Sequence, residues 1–185
     1  ERSYRDVYFS PNSKRVFIAG YSSGKVSIKV FNTANGELIF EPIKEEQQIW
    51  SLPHIESGRH FIVSDEKNMK IIDLRNGKLL SKIPRQEHNM NRGFFSPSGD
   101  RIAIIYENNS VRIWDSLSGD AITPSLQHNS IIRTLRFSDD GTKIGTTDGM
   151  ENSRIWNSWS GELLAGPIKH DGFATFSGHK IFSSQ

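Results

Sequence analysis

The residues best able to do chemistry in this chain are its histidines: His54, His60, His88, His128, His170 and His179. An imidazole can hold a metal or pass a proton near neutral pH. A zinc site needs three or four converging ligands, which in a sequence show as short spacings such as i, i+4. No such spacing occurs. His88, His128 and His170 are instead 40 and 42 residues apart. So long and nearly constant an interval puts the three in one structural slot of a repeated unit. The reading is structural, with no metal and no cofactor expected.

The carboxylates read the same way. Asp100, Asp115, Asp139 and Asp140 fall among turn residues, where Asp braces the backbone. No Gly-x-Ser-x-Gly elbow, phosphate-cradling glycine loop or His-Glu-x-x-His occurs, and no catalytic residues are assigned. The chain has no cysteine, which excludes disulfides, thiolate metal sites and cysteine nucleophiles and fits a reducing, cytoplasmic compartment. With 23 basic and 21 acidic residues the net charge is +2, and no block of five or six like charges occurs. A nucleic-acid-binding surface usually shows a basic stripe or patch, so that class is disfavoured. The longest apolar run, residues 102–106, is far short of the ~20 residues that cross a bilayer as a helix, and no membrane association is expected. The tripeptide Asn108-Asn109-Ser110 reads as a polar turn. The chain opens on Glu1 without an initiator Met or an apolar leader, which reads as a piece of a longer protein.

What positions these residues is a repeat. Ser110-Val111-Arg112-Ile113-Trp114-Asp115 returns as Ser153-Arg154-Ile155-Trp156-Asn157, with weaker copies ending at Phe31-Asn32 and Ile72-Asp73. The anchors Phe31, Ile72, Trp114 and Trp156 are spaced by 41, 42 and 42 residues, and five residues after each comes a glycine: Gly36, Gly77, Gly119, Gly161. Each unit breaks into short β-branched and aromatic runs separated by Ser/Pro/Asn/Gly turns, the signature of strands. In the first unit the strands are expected at 5–9, 15–19, 25–31 and 37–40. The second opens at 49–52. The chain ends in a partial fifth unit, with strands near 173–176 and 180–182. Nothing sustains a helical period.

A period of about 40–45 residues ending in Trp-Asp belongs to four-stranded propeller blades, and these stretches resemble the WD40 family over essentially the whole chain. The outer segments 36–44 and 161–169, the latter followed by His170, look like those of WD40 arrays on fungal NACHT-type receptors and some bacterial multidomain proteins. The resemblance implies an all-β, WD40-type β-propeller segment forming a single domain over 1–185. Its blade units are approximately 4–44, 45–84, 85–127 and 128–169, with a partial fifth at 170–185. It further implies a buried network joining the anchor Trp to a His before the first strand and an Asp in the turn after the second. His128, nine residues before Phe137, fits Trp156, while the turn position falls on Met150 with Asp148 two residues early. The third unit has Gln86 and Asn108 at these positions, with His88 displaced, so the network is expected in the fourth unit only.

The function so implied is a non-catalytic scaffold for protein–protein interactions, one module of a larger signalling or assembly protein. Its partners would be proteins or peptides held by loops and the central channel mouth, and further blades of the parent chain would complete the ring. The candidate loops lie near 20–25, 64–69, 106–110 and 147–152, and near 86–90, 127–131 and 169–173. Trp159, in a turn, is either folded over its own blade edge or an interface anchor. Two other classes are kept in view. A channel enzyme would draw on Asp6, Asn91, Arg92, Arg133 and Arg136. A nucleic-acid binder would draw on Arg2, Arg5, Arg92, Arg133 and Arg136.

Overall fold

A computed structural model of the chain describes residues 5–10, 12–22, 25–45, 60–64, 68–84, 86–169, 174–177 and 180–183. Side chains are described for these residues except 5, 6, 21, 22, 25, 26, 43–45, 63, 64, 174–177 and 180–183. The fold is all-β, with no helix among the described residues and so none long and apolar enough to cross a membrane. The strands are β1 (Arg5–Phe9), β2 (Arg15–Ser22), β3 (Lys25–Asn32), β4 (Ile43–Glu45), β5 (His60–Ser64), β6 (Asn68–Asp73), β7 (Lys78–Pro84), β8 (Met90–Phe95) and β9 (Arg101–Tyr106). They continue as β10 (Ser110–Asp115), β11 (Leu126–Gln127), β12 (Ile132–Phe137), β13 (Lys143–Asp148), β14 (Asn152–Asn157), β15 (Leu163–Lys169), β16 (Ala174–Ser177) and β17 (Lys180–Ser183).

The strands form antiparallel sheets in chain order: β1-β2-β3-β4, β5-β6-β7, β8-β9-β10-β11, β12-β13-β14-β15 and a β16-β17 pair. The partner of each anchor on the strand before it is an apolar residue: Val16 for Phe31, Phe61 for Ile72, Ile102 for Trp114 and Ile144 for Trp156. The 42-residue spacing is therefore a spacing of equivalent sites in successive sheets. The strand expected at 49–52 lies outside the described residues.

One expected strand is displaced. Residues 37–40 make only a bridge at Leu38 to Phe31, and the outer strand forms later, at β4. Here Ile39 and Phe40 pack against the core that this sheet shares with the next. The Phe40 ring carbons stand 2.7 and 2.8 Å from where a Cβ on Gly77 would be. Pro42, with no N–H to give, adds to the break. The third repeat does the same, with a bridge from Trp114 to Ala121 and a two-residue β11.

The turns explain the sequence markers. Gly36, Gly77, Gly119 and Gly161 all have φ between 71 and 80°, a region that costs a residue with a Cβ. In the first, second and fourth of these turns the glycine N–H closes on the carbonyl four residues back. On the other hairpin a serine hydroxyl recurs: Ser10, Ser96 and Ser138 each accept from the backbone N–H that opens the next strand, at 3.0, 3.1 and 3.0 Å. Ser96 and Ser138 donate in turn to Asp100 and Asp140, at 2.7 and 2.6 Å. These carboxylates are turn braces, as their positions implied.

The chain divides into two compact units: Glu1–Gln86 with Ser116–Gly119, and Glu87–Asp115 with Asp120–Gln185. In the first, Phe17, Ile28 and Val30 of one sheet bury against Phe61 and Ile72 of the next and Leu74 just beyond it. In the second, Ala103, Ile105, Val111, Ile113 and Leu126 bury against Ile132, Leu135, Ile144 and Trp156. A sheet has two faces, and stacking on a neighbour removes one of them from water. Each unit repeats a polar clasp across its stack. Arg15, at the start of β2, donates to the Leu74 carbonyl at 2.9 Å. Arg101, at the start of β9, donates to the Ser158 hydroxyl at 2.6 Å. Both acceptors lie two residues past an anchor.

Candidate interaction surface

In the second compact unit, four of the loops singled out by sequence are joined in a row. Asn89 of 86–90 bonds Glu107 of 106–110 through both backbone and side chain, each at 3.0 Å. The Asn109 carbonyl accepts from the His128 N–H at 2.9 Å, and the Gln127 side chain donates to the Asn108 carbonyl at 2.8 Å. Loop 127–131 then meets 147–152 through the Gly149 N–H and the Ile131 carbonyl, at 2.8 Å. Asn109, at φ 62°, makes Asn108-Asn109-Ser110 a tight turn. Of the other expected loops, 65–67 and 170–173 lie outside the described residues, as do residues 23–24.

Under this rim is the network of the fourth repeat. The Trp156 N–H donates to the Thr146 hydroxyl at 3.0 Å, and that hydroxyl also meets His128 Nε2 at 3.2 Å. The Asp does not reach the imidazole directly. Arg154 stands between them, its Nη1 2.9 Å from His128 Nδ1 and 3.1 Å from Asp148 Oδ2. A guanidinium only donates, so Nδ1 must be the bare nitrogen and the imidazole proton sits on Nε2, facing Thr146. The other oxygen of Asp148 accepts from the backbone of Met150 and Asn152 and from the Asn152 amide, at 3.0–3.1 Å. That is how an Asp two residues early still serves the turn: it caps it from the strand end.

Burial, and after it the neighbouring Arg154, push the His128 pKa down to about 4, against the opposing pull of Asp148. Burial pushes Asp148 upward, but the bonds from Asn152, Arg154 and Met150 outweigh it and hold the carboxyl below its usual range. His128 is thus neutral in the fold at neutral pH. The unfolded chain takes up its proton first, near pH 6.5, so stability falls as pH drops from about 6.5 to about 4. The expected loss is roughly 2–3 kcal/mol. Carboxylates with lowered pKa values withdraw their contribution only at lower pH, so the windows separate. Urea unfolding at pH 7 and pH 4.5 checks this, and a His128→Gln variant is expected to flatten the difference.

The third repeat meets the same demand differently. Ile104 takes the place of Thr146 and cannot accept, and the Trp114 N–H turns to the Tyr106 hydroxyl at 3.1 Å. Burial holds Tyr106 neutral, its pKa raised to about 12. Arg112, equivalent to Arg154, bonds the Thr123 carbonyl at 3.0 Å and lies over Trp114, 5.0 Å from the ring centroid.

The remaining sequence candidates are scattered. His60 is buried on β5, His88 is exposed in its loop, and His54, His170 and His179 lie outside the described residues. Among the described residues no three His, Cys, Asp or Glu side chains group as a metal set. Asn91, Arg92, Arg133 and Arg136 are exposed on β8 and β12. The side chains of Asp6 and Arg5, and Arg2 altogether, lie outside the described residues. Trp159 is 51% exposed, and Arg101 of the preceding sheet stacks on it, 3.8 Å from the ring centroid. The Arg101 clasp went unread in the sequence. Its signal is an Arg opening the second strand, as at Arg15 and Arg101.

No family model matches the chain, and no curated protein matches it. Among solved structures it is similar to the crystal structure of the computationally designed Ika8 protein, at 16% identity with a TM-score of 0.65. The match covers 95% of this chain and spans 65% of the length of that one. At this identity the likeness is one of fold.

Proposed function

We propose that the chain is part of a WD40-type β-propeller acting as a non-catalytic platform for protein–protein interactions, a module of a larger cytoplasmic signalling or assembly protein. The observation that carries this reading is the row of four loops, bonded to one another and fixed from beneath by buried polar groups. Rigid loops lose little entropy on binding, which is what a docking surface requires. Large apolar side chains stand exposed on this rim, Ile131 at 55% and Met150 at 61%.

The first sheet supports further blades. One face of it is buried through Phe17, Ile28 and Val30. The other presents Val7 and Phe9, 58% and 62% exposed. By strand position these match Leu135 and Phe137, which pack into the core of the fourth repeat. A face that is covered elsewhere in the repeat and open here is explained by another sheet of the same kind lying on it.

The test compares proteins captured by the immobilised full protein, by an Ile131→Asp/Met150→Asp variant and by a control altered at Lys14. The platform reading expects captured proteins to be lost with the rim variant and kept with the control. A captured set indifferent to the rim contradicts it.

A further inference from the structure

Resting on the platform reading, we propose that the exposed side of β8 and β12 docks an acidic peptide segment, in which Asp or Glu residues flank a bulky apolar side chain. Each strand carries one extra residue at the same place. Pairing runs from Met90–Tyr106 to Arg92–Ile105, and from Ile132–Asp148 to Thr134–Thr147. The extra residues, Asn91 and Arg133, are both exposed. A bulge re-aims a side chain out of the sheet's alternation, and here it recurs 42 residues apart as part of the repeat. The two strands approach within 8 Å between Cα atoms, and they carry three exposed guanidiniums, Arg92, Arg133 and Arg136.

These three differ from every other arginine with a described side chain. Arg15, Arg75, Arg101, Arg112 and Arg154 each bond a carbonyl, hydroxyl or carboxylate. Arg92, Arg133 and Arg136 have no ion pair or hydrogen bond with any described residue. No acidic residue lies on either strand. Asp148 is buried against Arg154, and Glu107 is bonded to Asn89. Glu87 and Glu151 stand on the connecting loops.

The apolar element lies two residues from Arg133. The Gly149–Ile131 backbone bond ties Ile131 to the turn that carries Met150, and both side chains are exposed. Met and Arg are enriched at protein interfaces, and an exposed aliphatic pair beside unpaired guanidiniums fits a mixed acidic and apolar ligand. A single-stranded nucleic acid would want exposed aromatic platforms for its bases. The aromatic residues of these strands, Phe94, Phe95 and Phe137, are half-buried or buried.

The experiment is selection of a random 12-residue peptide library on the immobilised full protein. It is followed by fluorescence polarisation with the enriched peptide, its Gln-for-Glu analogue and a single-stranded 12-nucleotide DNA. The expected result is enrichment of acidic peptides with an apolar centre. Binding should weaken about tenfold or more in Arg133→Glu/Arg136→Glu, less in Arg133→Gln/Arg136→Gln, and in added salt, with Lys29→Glu unchanged. Enriched peptides without acidic bias, or indifferent to both arginine variants, overturn the proposal and leave the platform standing. If nothing is enriched, both fall. Tighter binding of the DNA, in competition with the peptide, overturns the proposal in favour of nucleic acid.

Discussion

Asp148→Ala is expected to destabilise the protein by about 3–5 kcal/mol, the scale for breaking a buried ion pair from one side. Asp148 is buried, carries one oxygen against Arg154 and offers the other to the turn at Met150 and Asn152. Alanine removes the cap and leaves a guanidinium in the interior with only the bare nitrogen of His128 to bond. Asp148→Asn keeps an acceptor for the turn and loses the charge, so it should fall between the two. A double replacement, Asp148→Ala with Arg154→Met, should recover part of the loss, because no buried charge is then left unpaired. Equilibrium urea denaturation of the three variants reads this directly. A loss below about 1 kcal/mol for Asp148→Ala, the value typical of an exposed pair, would show that the network does not hold the turn.

The second large effect is expected at Arg101, where alanine should cost about 2–4 kcal/mol. Its guanidinium is buried, bonds Ser158 and Asp100, and lies over the rings of Trp159 and Phe137, 3.8 and 5.8 Å from their centroids. Ser158 relays the clasp to the Gly141 carbonyl at 2.7 Å. Lysine keeps the charge but has neither the planar fork nor the stacking face, so Arg101→Lys should recover less than half of the loss. Trp159→Leu should cost about 1 kcal/mol, isolating the stacking contribution. Thermal unfolding followed by far-ultraviolet circular dichroism checks all three, since the fold is all-β. Full recovery by lysine would mean that charge alone matters there.

Much of this architecture was legible because it rests on short-range physics. The anchors lie at equivalent places in successive sheets, the glycines sit where φ is positive, and the Ser/Asp turns brace the hairpins where the sequence puts them. The fourth-repeat network was half legible. His128 and Trp156 are brought together, with ring centroids 5.7 Å apart. Arg154, the bridging member, was not read, because a long side chain reaches groups that its position in the repeat does not announce. Arg101 escaped for the same reason. The displaced outer strand had another cause: residues 37–40 have strand-like composition, but Ile39 and Phe40 pack against the core shared with the next sheet. The bulges at Asn91 and Arg133 leave no mark in hydrophobic pattern, since one extra residue in a short strand disturbs only one alternation. Both positions are exposed on β8 and β12.

The proposal at the centre is that further sheets of the same repeat cover the open face of the first, and that the loops form a docking surface. Size-exclusion chromatography with light scattering tests it most directly, on this segment beside a version extended at both ends into the parent protein. The account predicts that the extended protein is a discrete monomer, while the segment, with Val7 and Phe9 open to solvent, self-associates through that face and is dispersed by Val7→Lys/Phe9→Lys. A segment that runs alone as a compact, stable monomer would contradict it.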